Sequence, residues 1–174
     1  MTENTKKEAI SWIKTIVLAV FIAFILNKVV ILNATVPTGS MENTIMSGDR
    51  VIASRLSYTF SEPDRGDVVI FKYPDDESVY YVKRIIGLPG DTVEVKNGGV
   101  YLNGSEEPLE EKYTREITMG EFGPYEVPEG HYFMMGDNRN NSLDSRFWDN
   151  KYVEEDKILG KVIFRYYKKP GLIK

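Results

Sequence analysis

A run of 23 residues from Ile10 to Leu32 is broken only by Ser11, Lys14, Thr15, Asn27 and Lys28. As a helix it would be about 34 Å long, sufficient to cross a hydrocarbon core of about 30 Å. The charge-free stretch between Lys14 and Lys28 is 13 residues, so both lysines must snorkel to the two interfaces. A cleavable signal peptide is the alternative, with Lys6 and Lys7 as its basic start and Leu32-Asn33-Ala34 as its cut. A retained anchor over 10–32 is the reading taken, because apolar residues continue to Leu32 and no small-x-small site follows. Positive charge ahead of the segment favours a short cytoplasmic N-terminus over 1–9 and an extracytoplasmic domain over 33–174.

A length of 174 residues suits one domain of about 140 residues beside that anchor, and 42% hydrophobic content supports a core. The absence of Cys excludes thiol nucleophiles, Cys-based zinc sites and disulfides. His131 is the single histidine. A Ser-His-Asp triad would have to use it, and a site built on several histidines is impossible. No metal and no cofactor is therefore expected. Of 22 basic and 26 acidic side chains, four and two fall in residues 1–33, leaving 18 against 24 in the remainder. That acidic balance argues against a nucleic-acid partner, which needs a basic face.

Beyond the anchor the pattern is β almost throughout. Val68 to Tyr73 and Val79 to Ile86 flank Pro74-Asp75-Asp76-Glu77-Ser78, and Thr92 to Lys96 and Val100 to Leu102 flank Asn97-Gly98-Gly99. Both read as hairpins. Further strands are predicted over Val51 to Arg55, His131 to Met135 and Ile158 to Tyr167. Six or seven short strands without helical periodicity imply a mainly β domain, a small barrel or folded sheet. Glu106 to Tyr125, within a wider stretch near 104–127, reads as an irregular polar excursion. Its glutamates Glu106, Glu107, Glu110 and Glu111 lack calcium-loop spacing and read as a solvated face.

Period-2 alternation puts Val79, Tyr81, Lys83 and Ile85 on one strand face. Lys83 in that apolar row is either an edge-strand lysine with its charge in water or a desolvated amine of lowered pKa. To act as a base near neutral pH it must fall about 2 to 3 units. Ser40, in Pro37-Thr38-Gly39-Ser40-Met41, has ordinary turn composition, and the segment lacks the Gly-x-Ser-x-Gly elbow. Gly39 would permit close approach of a substrate backbone, and the Ser40 amide with the Thr38 hydroxyl could form an oxyanion hole. A third stretch runs from Gly136 through Asp137, Ser142 and Asp144 to Arg146. Almost wholly polar and entered straight from an apolar strand, it is costly to bury unless its groups satisfy each other.

Together these three stretches, with Gly48-Asp49-Arg50, Arg65-Gly66-Asp67-Val68-Val69 and Gly90-Asp91, resemble the type I signal peptidases in their prokaryotic Ser/Lys form. The resemblance covers nearly the whole chain. It implies a membrane-anchored serine endopeptidase of β-rich fold that removes signal peptides from translocated preproteins, cleaving after small residues in an Ala-x-Ala pattern. It further implies Ser40 as nucleophile and Lys83 as general base, with Ser142 hydrogen-bonding and orienting the lysine. Asp144 and Arg146 match a supporting ion pair, and Arg84 and Asp137 match structural groups of the site. Preproteins and membrane lipid would be its partners, near the secretion translocon, in a bacterial plasma membrane. Asn43 stands where many members have proline, and Lys83 rather than histidine argues against the endoplasmic reticulum type.

Two other readings compete. A self-cleaving Ser/Lys repressor shares the dyad, but it would need an N-terminal DNA-binding domain where this chain has an apolar helix. A non-enzymatic membrane-anchored β module would not depend on Ser40. His131 reads as a structural or surface residue, and Phe147 and Trp148 as core residues or as side chains dipping into the membrane interface.

Overall fold

The computed structural model describes residues 3–173, so Met1 and Thr2 of the expected 1–9 segment and Lys174 of the 33–174 segment lie outside the described residues. Helix α1 runs from Glu3 to Ile25 and passes through a π turn, Leu26–Val30. Its apolar side chains point outward in every direction: Ile13, Val17, Phe21 and Phe24 are all exposed. A helix whose described apolar side chains are exposed on all sides is consistent with membrane anchoring. Ile31 and Leu32, read from sequence as the end of the helical segment, instead open strand β1, Ile31–Thr35. Pairing explains the switch, because Ile31 to Thr35 lie antiparallel to β2, Arg50–Ser54, and the Arg55 amide donates to the Val30 carbonyl. No unpaired linker therefore separates the apolar helix from the sheet.

The remaining strands are β3 (Val68–Tyr73), β4 (Asp76–Gly87), β5 (Thr92–Lys96), β6 (Gly99–Leu102), β7 (Phe122–Glu126), β8 (His131–Met135), β9 (Val153–Glu154), β10 (Ile158–Arg165) and β11 (Gly171–Leu172). The larger sheet has the order β1-β2-β10-β3-β4-β8-β9, with β11 on the β10 flank, and a smaller one has β6-β5-β7. Every pairing is antiparallel. The domain is thus mainly β, as the strand pattern predicts.

Two expectations are refined. The first hairpin is tighter than read, because Asp76 to Ser78 join β4 and Tyr73 pairs with Asp76. The polar excursion contributes a strand, β7, that pairs with β5. At the second hairpin Asn97 and Gly98 have φ of +49° and +81°, the left-handed pair that a two-residue turn needs to match strand twist.

Residues of β3 alternate between cores: Val68 and Ile70 pack with Met41, Ile45 and Val51, while Val69 and Phe71 pack with Ile85, Met134 and Trp148. Both faces of the large sheet are covered, which is why β3 is an unbroken apolar run rather than an alternating one. A third cluster joins Ile86, Phe133 and Met135 to Val93, Val95 and Val100 of the small sheet. Trp148 is core, packed against Phe71 and Tyr73, whereas Phe147 is half exposed.

Candidate active site

Strand β4 carries Lys83, and the turn after β1 carries Ser40. Although 43 residues apart in the chain, the Lys83 ammonium nitrogen lies 2.5 Å from Ser40 Oγ. Lys83 pairs with Val69 across the β3–β4 ladder, which sets its side chain on the apolar face expected from the alternation. The side chain also lies over the Tyr81 ring, 5.4 Å from its centroid. Lys83 is 4% exposed, which decides between the edge and desolvated readings. Burial pushes its pKa down to about 8, against the opposing pull of Asp144 and Asp137 and with the help of Arg146.

The Ser40 loop is held from two sides. Within it, the Ile45 and Thr44 amides donate to the Met41 carbonyl. Asn43 has φ of +89°, a conformation closed to proline, so the loop here is shaped differently from one with proline at that position. Across the site, the Asn138 amide donates to the Ser40 carbonyl at 3.1 Å, and Asn138 Nδ2 donates to the Gly39 carbonyl at 2.9 Å. Thr38 Oγ1 lies 3.4 Å from Ser40 Oγ.

The 136–146 stretch resolves its polarity internally, as its composition requires. Arg146 meets Asp144 through two parallel hydrogen bonds, 2.8 and 2.9 Å, and Asp144 also accepts from the Gly136 amide. Arg84 makes the same two-pronged contact with Asp137, at 2.8 and 2.7 Å, and Thr44 Oγ1 donates to that carboxylate too. All four of these side chains are buried. A Cβ on Gly136 would collide with the Ser40 carbonyl and the Ser142 hydroxyl, so a residue without a side chain is needed at this close approach. Ser142 Oγ is buried and has no hydrogen-bond partner among the described residues, the Lys83 amine expected from the resemblance included.

Sequence reasoning assigned no role to Asn138 or Arg139 and read Glu111 as solvated. That reading of Glu111 is corrected: its side chain is 7% exposed and takes two hydrogen bonds from buried Arg139, at 2.6 and 2.5 Å. Arg84 stacks on the Tyr113 ring at 3.9 Å, and Arg139 lies 5.9 Å from the same ring. The one usable signal was the need of a buried arginine in the 136–146 stretch for an acid, but nothing in the linear pattern says which acid.

A cleft of about 990 Å³ runs past Ser40 and Lys83. One wall is β1 with the following Val36 to Gly39, another is Val79 to Lys83 of β4, and a third is Asn140 to Leu143 with Phe147. β1 is the sheet edge, and β4 pairs with β8 only from Arg84 onward, so Val79 to Lys83 present an open edge as well.

The family model for signal peptidases, peptidase S26, matches residues 9–167. The chain is 37% identical over 187 aligned positions to the probable signal peptidase I-2 of Synechocystis sp., covering 98% of this chain and 84% of that one. It is 43% identical over 154 positions to signal peptidase I S of Bacillus subtilis, covering 82% and 81%. Among solved structures, a signal peptidase I from Enterococcus faecalis V583 aligns with a TM-score of 0.50 at 33% identity, over 58% of this chain and 97% of that one. The protein is thus a serine endopeptidase. The chain belongs to the type I signal peptidases, peptidase family S26, whose activity is the removal of signal peptides.

Proposed function

We propose that the protein is a membrane-anchored Ser/Lys endopeptidase that cleaves signal peptides from translocated preproteins through an acyl-enzyme. The carrying observation is the Lys83 amine 2.5 Å from Ser40 Oγ at the floor of a cleft, buried enough to lower its pKa to about 8. An amine of that pKa is partly neutral at physiological pH, so its lone pair can take the Ser40 proton as Oγ attacks the scissile carbonyl. The Ser40 amide and Thr38 hydroxyl stabilise the resulting oxyanion. Lys83, now an ammonium, gives its proton to the departing amine, and the mature protein leaves while the signal peptide stays esterified to Ser40. The neutral lysine then takes a proton from water, which hydrolyses the ester.

Ser142 directs the lysine, since its hydroxyl can accept from an ammonium and donate to an amine, and its buried Oγ has no hydrogen-bond partner among the described residues that would compete for it. The Arg84–Asp137 and Arg146–Asp144 pairs hold the walls. An extended substrate lies between the open edges of β1 and β4, gaining backbone hydrogen bonds as an added strand does. Family likeness supports closed pockets for Ala at the first and third positions before the cut, where a larger side chain is rejected sterically.

The orientation follows from Lys6 and Lys7, which favour a cytoplasmic N-terminus and a catalytic domain outside a bacterial plasma membrane. Because α1 passes by way of the π turn into β1, the cleft stays close to the bilayer, where lipid, preprotein and translocon meet. The test is processing of an Ala-x-Ala preprotein by the detergent-solubilised chain. Ser40→Ala and Lys83→Ala are each expected to abolish cleavage with the fold intact, and Phe before the cut is expected to block it. An active Lys83→Ala variant would sink the mechanism, and equal cleavage after Ala and Phe would sink the specificity.

A further inference from the structure

We infer that Glu111, from the polar excursion, is a positioning residue of the active site, acting through Arg139 on the segment that frames Ser40, Ser142 and Lys83. The inference deepens the proposed Ser/Lys reading and rests on it for its kinetic readout. Glu111 belongs to a stretch whose acids Glu106, Glu107 and Glu110 are exposed, yet its own carboxylate is buried against Arg139 in a fork-to-fork pair. Such pairs carry directional information that a solvated carboxylate does not.

Arg139 ties into the site at two further points. Its Nε donates to the Gly136 carbonyl at 3.0 Å, and its own carbonyl accepts from Arg146 Nη2 at 2.5 Å. Gly136 is the residue whose Cα side abuts both the Ser40 carbonyl and the Ser142 hydroxyl. Arg146, held by Asp144, is one of the charges that Lys83 senses. Tyr113 completes the clamp by lying under Arg84 and beside Arg139, and its hydroxyl donates to Glu111 at 2.8 Å. The neighbouring Glu116 and Ile117 reinforce it, since Glu116 accepts from the Asn140 amide and the Ile117 carbonyl accepts from Asn140 Nδ2. The excursion is therefore a brace laid over the back of the 136–142 segment. Without Glu111 the Arg139 guanidinium is buried and unpaired, and it must move toward water, taking Gly136 with it.

Lys83 is faced by Ser40 and Tyr81, with Asp144, Asp137 and Arg146 as the charges acting on it. Loosening this shell admits water and returns its titration toward that of a free lysine. The test compares wild type, Glu111→Gln, Arg139→Met and the double variant in detergent, with an Ala-x-Ala preprotein. Lys83 titration is followed separately by NMR of labelled lysine.

Glu111→Gln is expected to lower kcat by about tenfold with little change in KM, and to raise the Lys83 midpoint by about one unit. Adding Glu111→Gln to Arg139→Met is expected to cost little further, because the two shortest hydrogen bonds to the carboxylate come from the guanidinium and only the Tyr113 hydroxyl remains on it. If Glu111→Gln fails to fold, Glu111→Asp, which keeps the charge but shortens the reach, provides the same comparison. Wild-type kcat and an unmoved Lys83 midpoint in the folded variant would overturn the inference, even with a lowered Tm. An inactive wild type would remove the proteolytic reading, while the Lys83 midpoint would still decide this one.

Discussion

Replacing Lys83 with methionine tests whether the fold bears the cost of a buried lysine. Lys83 is 4% exposed and its pKa falls from 10.5 to about 8. At about 1.4 kcal/mol per unit, holding the ammonium in this site costs about 3 kcal/mol relative to the unfolded chain. The folded pKa lies below the unfolded one, so between about pH 8 and 10.5 the unfolded state binds more protons than the native state. Wild-type stability therefore rises with pH through that window and carries the full penalty below it. Methionine has similar reach, fills the same space and carries no charge to desolvate.

Lys83→Met is accordingly expected to be more stable at pH 7 by about 3 kcal/mol, or about 6 to 12 °C in Tm for a domain of this size. The gain should shrink steadily above pH 8 and vanish near pH 11. Thermal unfolding of the detergent-solubilised chain, followed by circular dichroism at a series of pH values, measures both quantities. A variant no more stable than wild type at pH 7, or a gap that ignores pH, would refute the reasoning that burial is what lowers this lysine. Activity should be absent throughout, a trade of stability for function.

The activity itself should rise with pH through about 8 and level above about 9, because in the proposed mechanism only the neutral amine takes the Ser40 proton; an initial-rate profile flat across that range would contradict it. Gly136→Ala places a methyl group against the Ser40 carbonyl and the Ser142 hydroxyl, so kcat should fall by about a hundredfold with the domain still folded. Asp144→Asn leaves buried Arg146 without its counter-charge, and a loss of about 3 to 5 kcal/mol in denaturant unfolding is expected.

Much of the framework was legible along the chain because it depends on local periodicity. The two hairpins and the strand at His131 to Met135 follow from short apolar runs bounded by turn residues, and the face shared by Tyr81, Lys83 and Ile85 follows from alternation within β4. The apolar segment was legible for the same reason. Its last residues were not, because Ile31 and Leu32 suit a helix as well as a strand, and only the partner β2 favours the strand. β7 was hidden in a polar stretch because its pairing with β5 is tertiary and its own alternation is slight.

By itself the sequence determined the β class, the apolar helix, and which side chains had chemistry to offer: Ser40, Lys83 and the polar stretch from Gly136 to Arg146. Whether those groups could react was decided by tertiary structure. The 2.5 Å approach of Lys83 to Ser40 is made by folding β4 and the Ser40 turn onto one cleft. The lowered pKa comes from burial, and the charges that modulate it, Asp144, Asp137 and Arg146, lie more than fifty residues away in the chain. Glu111 differs from its neighbour Glu110 by nothing in composition, yet one is sealed against Arg139 and the other is paired with Lys112 in water. Residue type sets what a group can do, but desolvation and partner geometry are properties of space, and they decide which of these groups does it.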